Sequence, residues 1–266
     1  PPIVVPGAAG EFDFMAVDES LQRIVAAHEG TRTLEMLDLA TRKPLKSLKF
    51  GDAKGLTLDP KRHRYFIGND SAHSVVIVDS VRLSKISEIK VDGPVDAMAF
   101  VEKNGMLYAA QDDGDHLWVI DPNAAKIVAT IAIPGMPEGL EFDPQTNHLY
   151  LEIKDKGLIV RIDPSTNKID ATWSVSPAVE PYGLALDVKR GRAYVAGTKG
   201  KLAAIDLASG KIIATAEIAP GVDHIAFDPE KQVIYSACEG FISVTKATDA
   251  GLKPLGNVES AKGTHS

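Results

Sequence analysis

The sequence predicts an all-β propeller of four-stranded antiparallel blades. Three observations carry that expectation: a repeat of about forty residues, four short runs within each repeat, and a first run that is bulky on one face and small on the other. The stretch IAIPGMPEGLEFDPQTNHLYLEIKDKGLIVRID, from Ile131 to Asp163, shows the pattern. Gly139 to Phe142, Leu149 to Ile153 and Leu158 to Ile162 are short apolar runs divided by Asp-Pro, Asn and Gly, so they read as strands joined by tight turns. Ile169 to Val175 supplies the fourth. The Asp that closes the first run recurs as Asp18, Asp59, Asp143, Asp187 and Asp228, with Val101 standing in once, at steps of 41, 42, 42, 44 and 41 residues.

Each first run justifies itself by its side chains. Met15, Leu56, Met98, Leu140, Leu184 and Ile225 hold the first core position, and Val17, Leu58, Phe100, Phe142, Leu186 and Phe227 the second. Between them lie Ala16, Thr57, Ala99, Glu141, Ala185 and Ala226. A sheet covered on both faces needs this, because the large face of one blade must fill the shallow face of its neighbour at high density. Gly55, Ala97, Gly139 and Gly183 open the run where backbones approach closely.

Six units follow in order: residues 12–52, 53–93, 94–137, 138–181, 182–221 and 222–260. Pro1 to Gly7, PPIVVPG, matches the end of an outer strand such as Ile131-Ala-Ile-Pro-Gly, and the tail at His265 matches the approach to a further first strand. The expectation is one propeller domain over 1–266, on a seven-bladed plan with six complete blades in this chain; the alternative is six-bladed.

Tyr65-Phe-Ile-Gly-Asn, Tyr108-Ala-Ala-Gln-Asp, Tyr194-Val-Ala-Gly-Thr and Tyr235-Ser-Ala-Cys-Glu, followed by Val-x-Val-Asp-like and Ala-Thr-Ile segments and then Pro-x-Gly-Leu-x-Phe-Asp-Pro, resemble the YVTN-type β-propeller repeat. Trp118-Val-Ile-Asp-Pro-Asn-Ala-Ala-Lys-Ile-Val-Ala-Thr-Ile is a close copy. The resemblance covers almost the whole chain. It implies the fold and leaves function open, since such propellers bind ligands, dock redox partners or hydrolyse small molecules.

Composition narrows the classes. A net charge of −7 with no basic run disfavours nucleic acid and anionic membranes. No apolar run approaches the ~18 residues of a transmembrane segment. The single cysteine, Cys238, forbids an internal disulfide. A chain beginning with Pro1, together with the resemblance, gives the expectation of an exported protein, periplasmic or extracellular.

Chemistry is expected where the first strands start and where the turns after the second strands lie, around a channel mouth. Asp13, Lys54, Asp96, Glu138, Tyr182 and Asp223 precede the first strands, His28 ends a second strand, and His224 stands beside Asp223. These eight are the candidate ligand-binding residues. Four carboxylates around one opening would repel unless Lys54, raised pKa values or a cation offset them; the alternative is a solvated acidic rim. Glu138-Gly-Leu and Asp223-His-Ile-Ala-Phe-Asp also resemble the gluconolactonase and SMP-30 propellers, where Glu, Asn and Asp hold a divalent ion; Tyr182 stands where the Asn is needed. That partial resemblance implies Asp96, Glu138 and Asp223 as ligands for calcium, magnesium or zinc. Two functions follow: a protein binding a small molecule or partner protein at an acidic mouth, or a metal-dependent hydrolase, lactonase or lyase with His28 or His224 moving a proton. No nucleophile elbow, phosphate loop or Cys-x-x-Cys names a reaction.

The fourth unit is anomalous. Glu141, Glu152 and Arg161 place charges where other units have small or apolar groups, and the expectation is a buried Arg-carboxylate network whose loss in Arg161→Ala costs roughly 3 to 5 kcal/mol.

Overall fold

The period-two alternation produces twenty-four strands among the described residues, grouped as six four-stranded antiparallel sheets. The computed structural model describes Gly10 and residues 12–261. In the half up to Ile131 the first sheet holds β1 (Phe12–Asp18), β2 (Arg23–His28), β3 (Thr33–Asp38) and β4 (Pro44–Lys49). The second holds β5 (Ala53–Asp59), β6 (Arg64–Asn69), β7 (Ser74–Asp79) and β8 (Ser84–Lys90), and the third β9 (Val95–Val101), β10 (Met106–Gln111), β11 (His116–Asp121) and β12 (Lys126–Ala132). In the half from Ala132, the fourth sheet holds β13 (Pro137–Asp143), β14 (His148–Ile153), β15 (Leu158–Asp163) and β16 (Lys168–Ser174). The fifth holds β17 (Pro181–Asp187), β18 (Arg192–Gly197), β19 (Lys201–Asp206) and β20 (Ile212–Glu217), and the sixth β21 (Val222–Asp228), β22 (Val233–Cys238), β23 (Phe241–Thr248) and β24 (Gly251–Glu259).

These are the blades of a β-propeller, and every blade is built from four strands consecutive in sequence. Six blades are found, the alternative of the two plans. Among the described residues the sixth sheet is made of β21 to β24, all from its own unit. The segments that suggested a seventh, Pro1 to Gly7 and the tail at His265, lie outside the described residues.

The recurrent Asp earns its place as a turn lock. Asp59 and Asp187 accept the amides of Arg62 and Arg190, each at 3.2 Å, capping a short 3-10 turn, and Asp18 accepts the Tyr65 hydroxyl at 2.9 Å. All three are buried, so an unlocked carboxylate there would be costly.

Within each half, consecutive blades stack large face on small face. Leu56, Tyr65, Ile67 and Val76 of the second blade pack with Val25, Ala27, Leu34 and Met36 of the first. Tyr150 of the fourth joins Leu184, Ala193 and Val195 of the fifth. The pairing register corrects one alignment read from sequence. Phe66, not Tyr65, lies opposite Thr57, as Tyr108 lies opposite Ala99 and Tyr194 opposite Ala185. Phe66 thus holds the aromatic position and stacks at 5.3 Å on Phe100 of the next blade.

The expected Arg161 network does not form. Glu141, Tyr150 and Arg161 lie in one cross-strand row, with Tyr150 between the two charges. Arg161 turns to the half-exposed Asp170 at 2.8 Å and lies 5.6 Å from the Trp173 ring. Arg161→Ala is therefore expected to cost about 1 kcal/mol or less in chemical unfolding, the range of a solvated pair. Gly55→Ala is expected to cost roughly 1 to 3 kcal/mol or more, because a Cβ there would sit 1.8 Å from the Asp96 carbonyl oxygen of the next blade.

Candidate functional site

One backbone device recurs at the start of all six first strands. Pairing skips between Phe12 and Met15, Ala53 and Leu56, Val95 and Met98, Pro137 and Leu140, Pro181 and Gly183, and Val222 and His224. Each skip leaves one more residue on the first strand than on the second, a β-bulge, which turns side chains out of the regular alternation. Asp13, Lys54, Asp96, Glu138, Tyr182 and Asp223 all sit inside these bulges. The six residues read from sequence as preceding the first strands are thus the six that the backbone re-aims.

In the first half, Lys54 is the centre. Its ammonium lies 3.3 Å from a carboxylate oxygen of Asp112 and 3.7 Å from one of Glu29. Burial alone would lower its pKa, but the charges of Asp112, Asp96, Asp70 and Glu29 outweigh that and hold it above its ordinary value. The repulsion expected among carboxylates is offset here by a lysine. His28 is buried and stacked on Phe12, with centroids 4.2 Å apart. Neither imidazole nitrogen finds a partner among the described residues. Phe12 was not a sequence candidate. Its signal was an aromatic where the later blades carry Ala53, Val95, Pro137, Pro181 and Val222.

In the second half, the fourth, fifth and sixth blades bring Glu138, Tyr182, Asp223 and His224 into one electrostatic group. Lys154, from the turn after β14, reaches a Glu138 oxygen at 3.0 Å and lies 5.2 Å from the Tyr182 ring centroid. Nδ1 of His224 lies 3.0 Å from a carboxylate oxygen of Asp223. Burial pushes the Glu138 carboxyl up to about 7, against the pull of Lys154, with Asp223 raising it further and His224 lowering it. Glu138 therefore feels groups on the sixth blade from the fourth.

Glu152 supports this arrangement from behind. It lies opposite the Glu138–Gly139 bulge, where the second and fifth blades have Gly68 and Ala196, and one carboxyl oxygen accepts the Gly139 amide at 3.2 Å. The other is buried without a partner. Burial first, then Glu138 and Glu141, raise the Glu152 pKa well above its ordinary value, against the pull of the Gly139 amide. Glu141 is reached by solvent but surrounded by protein atoms, and desolvation pushes its carboxyl up to about 7.

Asp96, Glu138 and Asp223 are the residues expected to hold a divalent ion. Among the described residues no group of three or more His, Cys, Asp or Glu side chains is arranged to hold one. Glu138 is engaged by Lys154, and Asp223 is beside His224.

A carboxyl with a folded-state pKa above its unfolded value holds its proton more firmly when folded. Below the unfolded pKa near 4.5 it is protonated in both states and nothing is lost; as pH rises from there through the folded pKa, the unfolded chain ionises first and the fold loses stability. Glu152→Gln keeps the acceptor for the Gly139 amide and removes the ionisation. Urea unfolding is expected to show near-equal stability at pH 5 and a variant more stable than the parent at pH 8 to 9. Equal pH profiles would show that folding does not raise the Glu152 pKa.

No family model matches the sequence, and no curated protein matches it. Solved structures share the fold. A chain described as "Kuenenia stuttgartiensis Hydrazine Synthase" superposes with a TM-score of 0.81 at 15% identity, covering 92% of this chain and 86% of that one. A chain described as "Crystal Structure of Mitotic Checkpoint Complex" superposes with a TM-score of 0.82 at 13% identity, covering 97% and 81%. At such identities these likenesses establish the propeller fold and nothing about activity.

Proposed function

We propose that this propeller is a binding protein, and that the bulged strand starts of its fourth to sixth blades take a small polyhydroxy molecule. The observation that carries the reading is the meeting of Glu138, Lys154, Tyr182 and the Asp223–His224 pair from three consecutive blades. Acceptors, donors and one aromatic ring stand together there. Their charges are largely answered in pairs, which favours hydroxyls, able both to donate and to accept, over a strongly charged ligand. Binding needs no proton transfer. The metal-dependent hydrolase reading lacks a three-donor group among the described residues.

The test is a thermal-shift panel of sugars, polyols and small ammonium compounds. A binder at a hundred times its Kd stabilises the fold by about 2.7 kcal/mol, so a polyhydroxy compound is expected to raise the melting temperature by several degrees. Tyr182→Ala is expected to abolish that rise while leaving unliganded melting nearly unchanged. A panel without polyhydroxy hits, or an undiminished shift in Tyr182→Ala, would overturn the proposal.

A further inference from the structure

Across each blade, the small position of the first strand begins a row of paired residues. The third-strand member of that row is Met36, Ile77, Val119, Arg161 and Val244 in five blades, and only Ala204 in the fifth. Ala214 continues the fifth row on β20, so two methyl groups stand together where other blades carry bulk. A cavity of about 260 Å³ lies there, between the fifth and sixth blades. Ala204, Ile213 and Ala214 line it from one side, Leu252 and the turn at Asp249 from the other, and Arg192 supplies a guanidinium. The seam before it is filled. Arg161 and Trp173 occupy that one, and a Cβ on Gly210 of the fifth blade would sit 2.1 Å from the Trp173 ring.

Arg192 opens β18 at the end away from the bulged start of its blade, paired in register with Asp187 and Asp206. The carboxylates around it have other partners. Asp187 accepts the Tyr194 hydroxyl and pairs with Arg190, Asp206 accepts the Ser209 amide, and Asp249 pairs with Arg190 at 3.3 Å. The Asp249 side chain is 90% exposed, so water screens its charge. Arg192 itself donates through Nη1 to the Thr248 carbonyl at 3.1 Å, a neutral acceptor. Its half-buried guanidinium therefore presents positive charge beside apolar walls.

We propose that this cavity is a second binding site, for a small carboxylic acid with an apolar body, a short alkanoate or an arylcarboxylate. The carboxylate takes the forked N–H donors of Arg192, whose geometry it matches. Ala204, Ile213, Ala214 and Leu252 cover the body, and Ile213, 46% exposed, gains burial. A cavity of roughly 150 Å³ holds benzene, so this one has room for a ring and its carboxyl group. The site is independent of the polyhydroxy ligand proposed for the strand starts.

Calorimetric titration of the whole protein with benzoate, hexanoate, benzyl alcohol and inorganic phosphate tests it. At least one of the two acids is expected to bind, and the alcohol and phosphate to bind about ten-fold more weakly or less. Arg192→Gln is expected to weaken the acid by roughly ten- to a hundred-fold. Ala204→Val, which restores the residue of the third and sixth blades, is expected to melt like the parent and to lose the acid. Tyr182→Ala is expected to bind it as the parent does. Absence of heat from both acids at about 10 mM, phosphate or benzyl alcohol binding as tightly as benzoate, or undiminished affinity in Arg192→Gln or Ala204→Val would overturn the proposal. Loss of the acid in Tyr182→Ala would also overturn it, by assigning the acid to the strand starts.

Discussion

Neighbouring first strands approach so closely that no side chain fits between them, and the candidate site depends on this constraint. A Cβ on Gly55 would lie 1.8 Å from a backbone oxygen of the third blade, one on Gly139 2.8 Å from Leu184, and one on Gly183 2.8 Å from Ile225. Such spacing accounts for glycine at the base of the second, fourth and fifth first strands, whereas Phe14 and His224 hold that place in the first and sixth. The residue just before, lifted out by the bulge, then comes within electrostatic reach of the next blade. That is how Glu138 on the fourth blade senses Asp223 and His224 on the sixth.

Each half answers its carboxylates with one lysine. Lys54 holds Asp112 and Glu29 in the first, and Lys154 holds Glu138 in the second. Coulomb attraction at ~3 Å in a partly buried place is strong enough to keep Lys54 charged despite its desolvation. Glu138 is a closer contest, because burial opposes its ionisation while Lys154 favours it. Glu152 lies on the other side of the same balance: burial, Glu138 and Glu141 raise its pKa, and the Gly139 amide alone is named as lowering it. The acidity counted from sequence is therefore offset by pairing in one place and by a raised pKa in another.

The repeat, the strand count and the six residues before the first strands were legible because they recur, and recurrence survives noise in any single copy. Side-chain pairing was less legible. Glu141 and Arg161 do share a face, as their spacing implied, but nothing in the spacing shows that Tyr150 stands between them or that Asp170 offers Arg161 a carboxylate nearer solvent. The Tyr65 misalignment has a similar origin. Tyr-Phe in the second blade offers two aromatics for one position, and only the pairing register assigns Phe66 to it. The bulges were invisible because a bulge is a difference in length between partners, and partner lengths are known only once the register is.

The central claim is that bulged starts on separate blades bring Glu138 and His224 into one electrostatic group. The most direct measurement is the imidazole titration of His224 by NMR in the parent protein and in Glu138→Gln. A carboxylate near the imidazolium stabilises it, so the His224 titration is predicted to move to lower pH when Glu138 is replaced by the uncharged amide. Superimposable His224 titrations in the two proteins would contradict the account.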